Sequence, residues 1–142
     1  MSIVQRKDLY TPLKKQVEYF SDFLDNLDVH PVKKDIGRLI NEEAIKRSIK
    51  NIILTNTGDR VFNPTFGSDI NRMLFEPFSI ATQTVIRDLV RNSIENYEPR
   101  ALLEDVRVEG EIDSNSLLVT VVFSILNSEA PVTLEIILNR IR

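Results

Sequence analysis

The absences in this chain narrow its chemistry before any pattern does. No cysteine occurs among its 142 residues, which excludes a disulfide framework, a thiolate nucleophile and cysteine-ligated zinc. The single histidine, His30, stands between Val29 and Pro31. It cannot make a two-histidine metal site and has no identifiable nucleophile beside it, so it reads as structural or solvated. No apolar run approaches the ~18–20 residues that span a bilayer, and the N-terminus shows no signal-peptide apolar region. A soluble product made inside the cell, with no membrane partner, is therefore expected. Positive charge is also short: 18 Lys and Arg against 21 Asp and Glu leave a net charge of −3. That balance argues against nucleic-acid binding, which needs clustered cations to displace counterions. Lys33-Lys34 and Lys46-Arg47 read as solvated surface. Stretches rich in glycine, serine or proline are missing, so no flexible linker divides the chain, and no internal repeat is found. Walker loops, dinucleotide fingerprints and G-x-S-x-G elbows are absent too. No metal, nucleotide or other cofactor is implied.

What is present is a 42% hydrophobic chain, enough for one compact domain that buries roughly 68–70% of its unfolded surface. Residues 1–40 read as an N-terminal helical arm and 41–142 as the domain. Thr11-Pro12 opens the arm's helix, in which Leu13, Val17, Phe20, Leu24 and Leu27 recur at spacings of four and three and form one apolar face. Both packing on its own domain and docking in a partner's helical bundle stay open for that face. Asn41 caps a second predicted helix, with Glu42 and Glu43 near its positive end and Ala44, Ile45, Ile49 and Ile52 on its apolar side. A short β-hairpin is expected near 52–63: Ile52–Thr55 and Arg60–Phe62 flank the turn-forming Asn56-Thr57-Gly58-Asp59. Phe62, Phe66 and Phe75 read as core or hairpin-packing aromatics, and Gly67 as a backbone conformation closed to other residues. A short helix capped by Ser68 or Asp69 precedes Glu76-Pro77.

The spacing then predicts a long helix over about Ser79–Tyr97, with Val85, Ile86, Leu89, Val90, Ile94 and Tyr97 on its buried face. After Arg100 the period changes from about 3.6 to 2. Leu102, Val106 and Val108 share one strand face. Leu117, Val119, Val121, Phe123 and Ile125 form a second strand, and Val132, Leu134, Ile136 and Leu138 a third. The fold class is α+β: helices packed on one face of a small antiparallel C-terminal sheet.

Between helix and sheet stands Tyr97-Glu98-Pro99-Arg100. Pro99 disfavours helical geometry at Glu98 and removes a backbone donor, so an acid and a base flank a rigid bend. Upstream lie Asn63-Pro64-Thr65-Phe66-Gly67 and Leu74-Phe75-Glu76-Pro77. In this order and spacing, from about Ser48 to the C-terminus, the three segments resemble the baseplate wedge family that starts tail-sheath assembly in contractile-tailed phages. A relative of that family occurs in type VI secretion baseplates. The resemblance implies a virion component made in the host cytoplasm, whose partners are wedge core proteins and tail-sheath subunits. It further implies that Glu98, Pro99 and Arg100 form the docking surface toward the helical wedge core. The C-terminal domain of the family looks like the part of a sheath subunit that exchanges strands with its neighbours, which gives Val132, Leu134, Ile136 and Leu138 a partner-binding role.

Four plainer or rival readings stand beside these, one of them the equivalent baseplate part of a type VI secretion system. Glu98 and Arg100 can be an internal ion pair clamping the bend, and the last strand an ordinary terminal strand. Members of the family have also been labelled lysozyme-like, and glycoside hydrolysis needs only two carboxylates at set separations, one with a raised pKa. Glu42, Glu43, Glu76, Glu98 and Glu104 are available for it. Glu98 suits it badly, because a neighbouring arginine favours the ionised form. A non-enzymatic structural role is the expectation.

Overall fold

The computed structural model describes residues 19–24, 27–32, 34–111, 116–126 and 130–139. Strands β1 (Ser21–Phe23) and β2 (Arg38–Ile40) come first, followed by helices α1 (Glu42–Leu54), α2 (Ile70–Met73) and α3 (Ile80–Tyr97). Strands β3 (Ala101–Glu111), β4 (Ser116–Ile125) and β5 (Pro131–Asn139) complete the order. The class is α+β, as the patterning predicted. Among the described residues no helix is long and apolar enough to cross a membrane.

The three long strands form an antiparallel sheet in the order β3-β4-β5. Its inner face carries Val106 and Val108, then Leu117, Val119, Val121, Phe123 and Ile125, then Val132, Ile136 and Leu138, all buried. Alternation along β4 and β5 thus reports burial directly. Onto this face pack the buried stripes of α1 (Ile45, Ile49, Ile53) and α3 (Ile86, Val90, Ile94). Burial of each such side chain is worth about 1.5–3 kcal/mol.

The first strand of the sheet departs from the expected pattern. Leu103 pairs with Phe123 and Asp105 with Val122, so Glu104 is an extra residue in a β-bulge. Unbroken alternation from Val106 would bury Glu104 and Leu102. The bulge instead turns Ala101 and Leu103 to the core and leaves Leu102 exposed, because one inserted residue reverses every face upstream of it.

Ser79 caps α3 by accepting the Thr82 N–H at 3.2 Å. Val85, grouped above with the buried face, is half exposed. Asn41 precedes α1 but its side chain caps nothing in that helix. Its Oδ1 accepts the backbone N–H groups of Tyr19 at 2.8 Å and Phe20 at 3.2 Å, tying the preceding segment to the domain.

Two predicted elements are corrected. The hairpin near 52–63 does not form: Ile52–Leu54 continue α1 and Arg60–Phe62 lie in a turn. Ile52 and Ile53 extend the helical stripe of Ile45 and Ile49 into the core, and that burial outweighs the β preference of branched side chains. The helix predicted across Leu13–Leu27 is replaced, where described, by β1 paired antiparallel with β2. The chain returns through a turn in which the Asp35 carbonyl accepts the His30 N–H at 2.7 Å. An isolated helix of about this length is marginal in water, whereas the β1–β2 ladder and the Asn41 side chain tie this segment to the domain. Leu13 and Val17 lie outside the described residues. Phe20 is partly buried, and Leu27 is exposed along with Phe23, Val29 and Val32.

Candidate functional site

The bend after α3 is built by backbone first. The Glu98 N–H closes the helix on the Ile94 carbonyl at 2.8 Å, and the Glu98 carbonyl then receives the Ala101 N–H at 3.1 Å. Pro99, with no N–H to place, sits exposed between them. This geometry turns the Glu98 side chain inward, where it is 1% exposed. Arg100 follows it in and grips it as a fork: Nε donates to Oε1 at 2.5 Å and Nη2 to Oε2 at 2.7 Å. Burial pushes the Glu98 carboxyl up, but hydrogen bonds from Arg100 and the Ser48 hydroxyl, with the guanidinium charge, outweigh it and hold the group below the usual glutamate range. The Arg100 guanidinium also lies 5.5 Å from the centre of the Phe20 ring, within cation–π reach. The bend therefore joins α3, β3 and the base of the β1–β2 arm.

A second cluster braces the same end of α3. The Arg60 guanidinium lies 3.7 Å from the centre of the Phe66 ring, which in turn packs on Tyr97 at 4.9 Å between centroids. Gly67, at φ +118°, runs its backbone against the Thr55 carbonyl, where a Cβ would collide. Gly58 donates to the Pro64 carbonyl at 2.7 Å, and Asn71 ties Asn56 at 2.6 Å. The braced loop 56–67 leaves Val61 and Phe62 fully in solvent. Phe62 and Phe75 are thus exposed rather than core residues. The dense turn formers on both sides of Arg60-Val61-Phe62 were the available signal that the aromatic sits on a loop tip rather than in a strand.

The third region is β5. Of its predicted residues Val132, Ile136 and Leu138 are buried and Leu134 is partly so. Nine residues pair with β4 without a register shift, and among the described residues no strand pairs with the other side of β5. Because Ala101 pairs with Ile125 and Ser124 with Pro131, the bend and the start of β5 share one end of the sheet, about 10 Å apart across β4. The sheet thus gathers two of the predicted partner-binding sets, and Phe20 joins them through Arg100. Leu24 and Leu27 lie along the β1–β2 arm.

The family model for baseplate wedge protein gp25 matches residues 40–130, a span that includes all of α1, α3, the bend and β4. The chain belongs to the gp25 baseplate wedge family. It is 34% identical over 95 residues to the gp25 baseplate wedge protein of Enterobacteria phage T4, covering 67% of this chain and 72% of that one. Among solved structures, a protein described as a putative tail lysozyme from Geobacter sulfurreducens superposes with a TM-score of 0.66 at 25% identity, over 71% of this chain and 92% of its own. A chain of the postcontracted pyocin R2 baseplate gives 0.53 at 26% identity, over 72% and 98%. Membership makes the protein a baseplate wedge component of a contractile tail. The resemblance drawn from the three motifs holds, and the matched span takes in α3, the bend, β3 and β4.

Proposed function

We propose that the protein is a non-enzymatic part of a phage tail baseplate that docks on the wedge core and templates the first ring of tail-sheath subunits through β5. One observation carries this reading: β5 is a regular nine-residue strand whose outer edge has no partner among the described residues. Exposed edges recruit strands and are normally blunted by bulges, charges or covering elements. An edge left regular suits a protein that receives a strand from a neighbour. A preplaced edge also lowers the entropic cost of fixing the first incoming subunit, because one of the two partners is already ordered.

Docking on the wedge core falls to the exposed side of the bend, Pro99 and the third of the Arg100 side chain left accessible, with the arm base beside it. Glu98 acts indirectly, by fixing where Arg100 stands. Its lowered pKa is the reverse of what a glycosidic general acid needs, which supports a structural role over hydrolysis. The 34% identity to the phage T4 protein favours a phage virion, with synthesis in the host cytoplasm, over a secretion machine.

The test is electron microscopy of purified sheath protein added to baseplates assembled with or without this chain. Growth confined to baseplates that contain it is the expected outcome; equal growth on both removes the initiating role.

A further inference from the structure

The inner face of β5 is sealed at Val132, Ile136 and Leu138 but not at Leu134. Leu134 opens into a groove of about 210 Å³ whose other walls are Leu39 of β2 and Glu43, Lys46, Arg47 and Lys50 of α1. Three cations and one carboxylate therefore line the inner side of the open edge. Lys46 is partly offset, its Nζ lying 2.6 Å from Glu42 and 3.5 Å from Glu43. Lys50 is exposed and has no ion-pair partner among the described residues. The outer face of the same strand is different: Thr133, Glu135 and Ile137 are exposed there, and its one charge is negative.

We propose that this groove selects the incoming strand by the chemistry of its inward side chains, taking an apolar residue beside Leu134 flanked by acidic ones. The proposal rests on β5 accepting a strand. A strand added beyond β5 lies about 4.8 Å away and must turn every second side chain to the inner face. Those side chains run beneath α1. Carboxylates there meet Lys50 and Lys46 in a partly dry groove, whereas ammonium groups meet like charge. A slip of one residue would carry the carboxylates to the outer face, beside Glu135. The two faces of β5 thus discriminate in the same direction, and charge sets which face of the partner strand turns inward and so its register. The occupant is a partner protein's strand with an acidic–apolar–acidic inner row, which fits the positive side of an otherwise acidic protein.

Two seven-residue peptides test this on the full-length chain by NMR titration. Both alternate threonine with three other residues: glutamate, valine, glutamate in one and lysine, valine, lysine in the other. The acidic peptide is expected to shift β5 resonances and to bind roughly tenfold more tightly than the basic one. The gap should narrow in high salt and invert in Lys50→Glu, a substitution at an exposed helix position. Equal binding of both peptides at β5 overturns charge selection while leaving strand pairing intact. Failure of both peptides to move β5 resonances overturns strand pairing itself, and this proposal with it.

Discussion

The two edges of the C-terminal sheet are treated oppositely. Along β3 the register is broken by the Glu104 bulge, Asp105 and Arg107 pair at 2.8 Å on the outer face, and α3 packs against the strand. Gln83 of α3 occupies the Val108 carbonyl at 2.5 Å, and the Phe78 ring fills the space a side chain at Gly110 would take. Each is a device that discourages strand addition. On β5 the ladder is unbroken and Ile137, on the outer face, stays 67% exposed. A fold that guards one edge with a bulge, charges and a helix can guard the other. The difference teaches that the openness of β5 is a property of that edge and not of a small sheet in general.

The largest expected effect breaks the anchor of the guarded edge. Arg100→Ala leaves the buried Glu98 carboxylate without its fork, at a cost of about 2 kcal/mol once the partial exposure of Arg100 is allowed for. The pH dependence follows from the lowered Glu98 pKa. The unfolded chain takes up the proton first as pH falls, so the pair's contribution is complete above the ordinary glutamate pKa and declines from there through the lower folded value. Thermal melts from pH 7 to 3 should show that acid loss in the wild type and a shallower one in Arg100→Ala. Identical pH profiles would mean the fork contributes nothing to anchoring β3.

A smaller effect is expected from removing the bulge. Deleting Glu104 keeps Ala101 and Leu103 on the inner face, so the core survives and the loss in denaturant unfolding should be about 1 kcal/mol. What changes is the edge: a regular β3 becomes open to pairing, and sedimentation should reveal association that the parent lacks at the same concentration. An unchanged sedimentation profile would mean that α3 alone guards this side.

The smallest effect on folding, and the sharpest on the comparison, comes from guarding β5. Ile137→Lys places a charge on an exposed outer-face position, and unfolding should move by no more than about 0.5 kcal/mol. Sheath growth from baseplates carrying it should nevertheless fall several-fold. Growth at the parent's rate would separate the open edge from initiation.

How much of this was legible in the residues depended on where the decisive partner lay. Alternation in Leu117–Ile125 and Val132–Leu138 named the buried faces, because both strands are long and one-sided and the period itself encodes the side. Ser79 and Pro99 marked the two ends of α3 through local backbone chemistry. Reading failed where two local tendencies competed. Ile52 and Ile53 read as strand but serve a helix, since their partners are the helical stripe of Ile45 and Ile49. Phe20 stands next to a strand rather than in a helix, since Asn41 and the β2 ladder hold its neighbourhood. The bend was visible as Glu98-Pro99-Arg100, yet nothing local told that Glu98 would be almost wholly buried or that Phe20 would lie by Arg100.

The sequence by itself determined the class, the spine helix, the inner faces of β4 and β5, the rigid bend and the family. Those are consequences of periodicity, of proline's missing donor and of ordered motifs, all carried by residues close in the chain. Only the tertiary structure decided that the Glu104 bulge guards one edge, that the other is left regular, and that Leu39, Lys46, Lys50 and Leu134 meet in one groove. Those depend on contacts between residues far apart in the chain, where packing and charge are settled only when α1, α3 and the sheet come together.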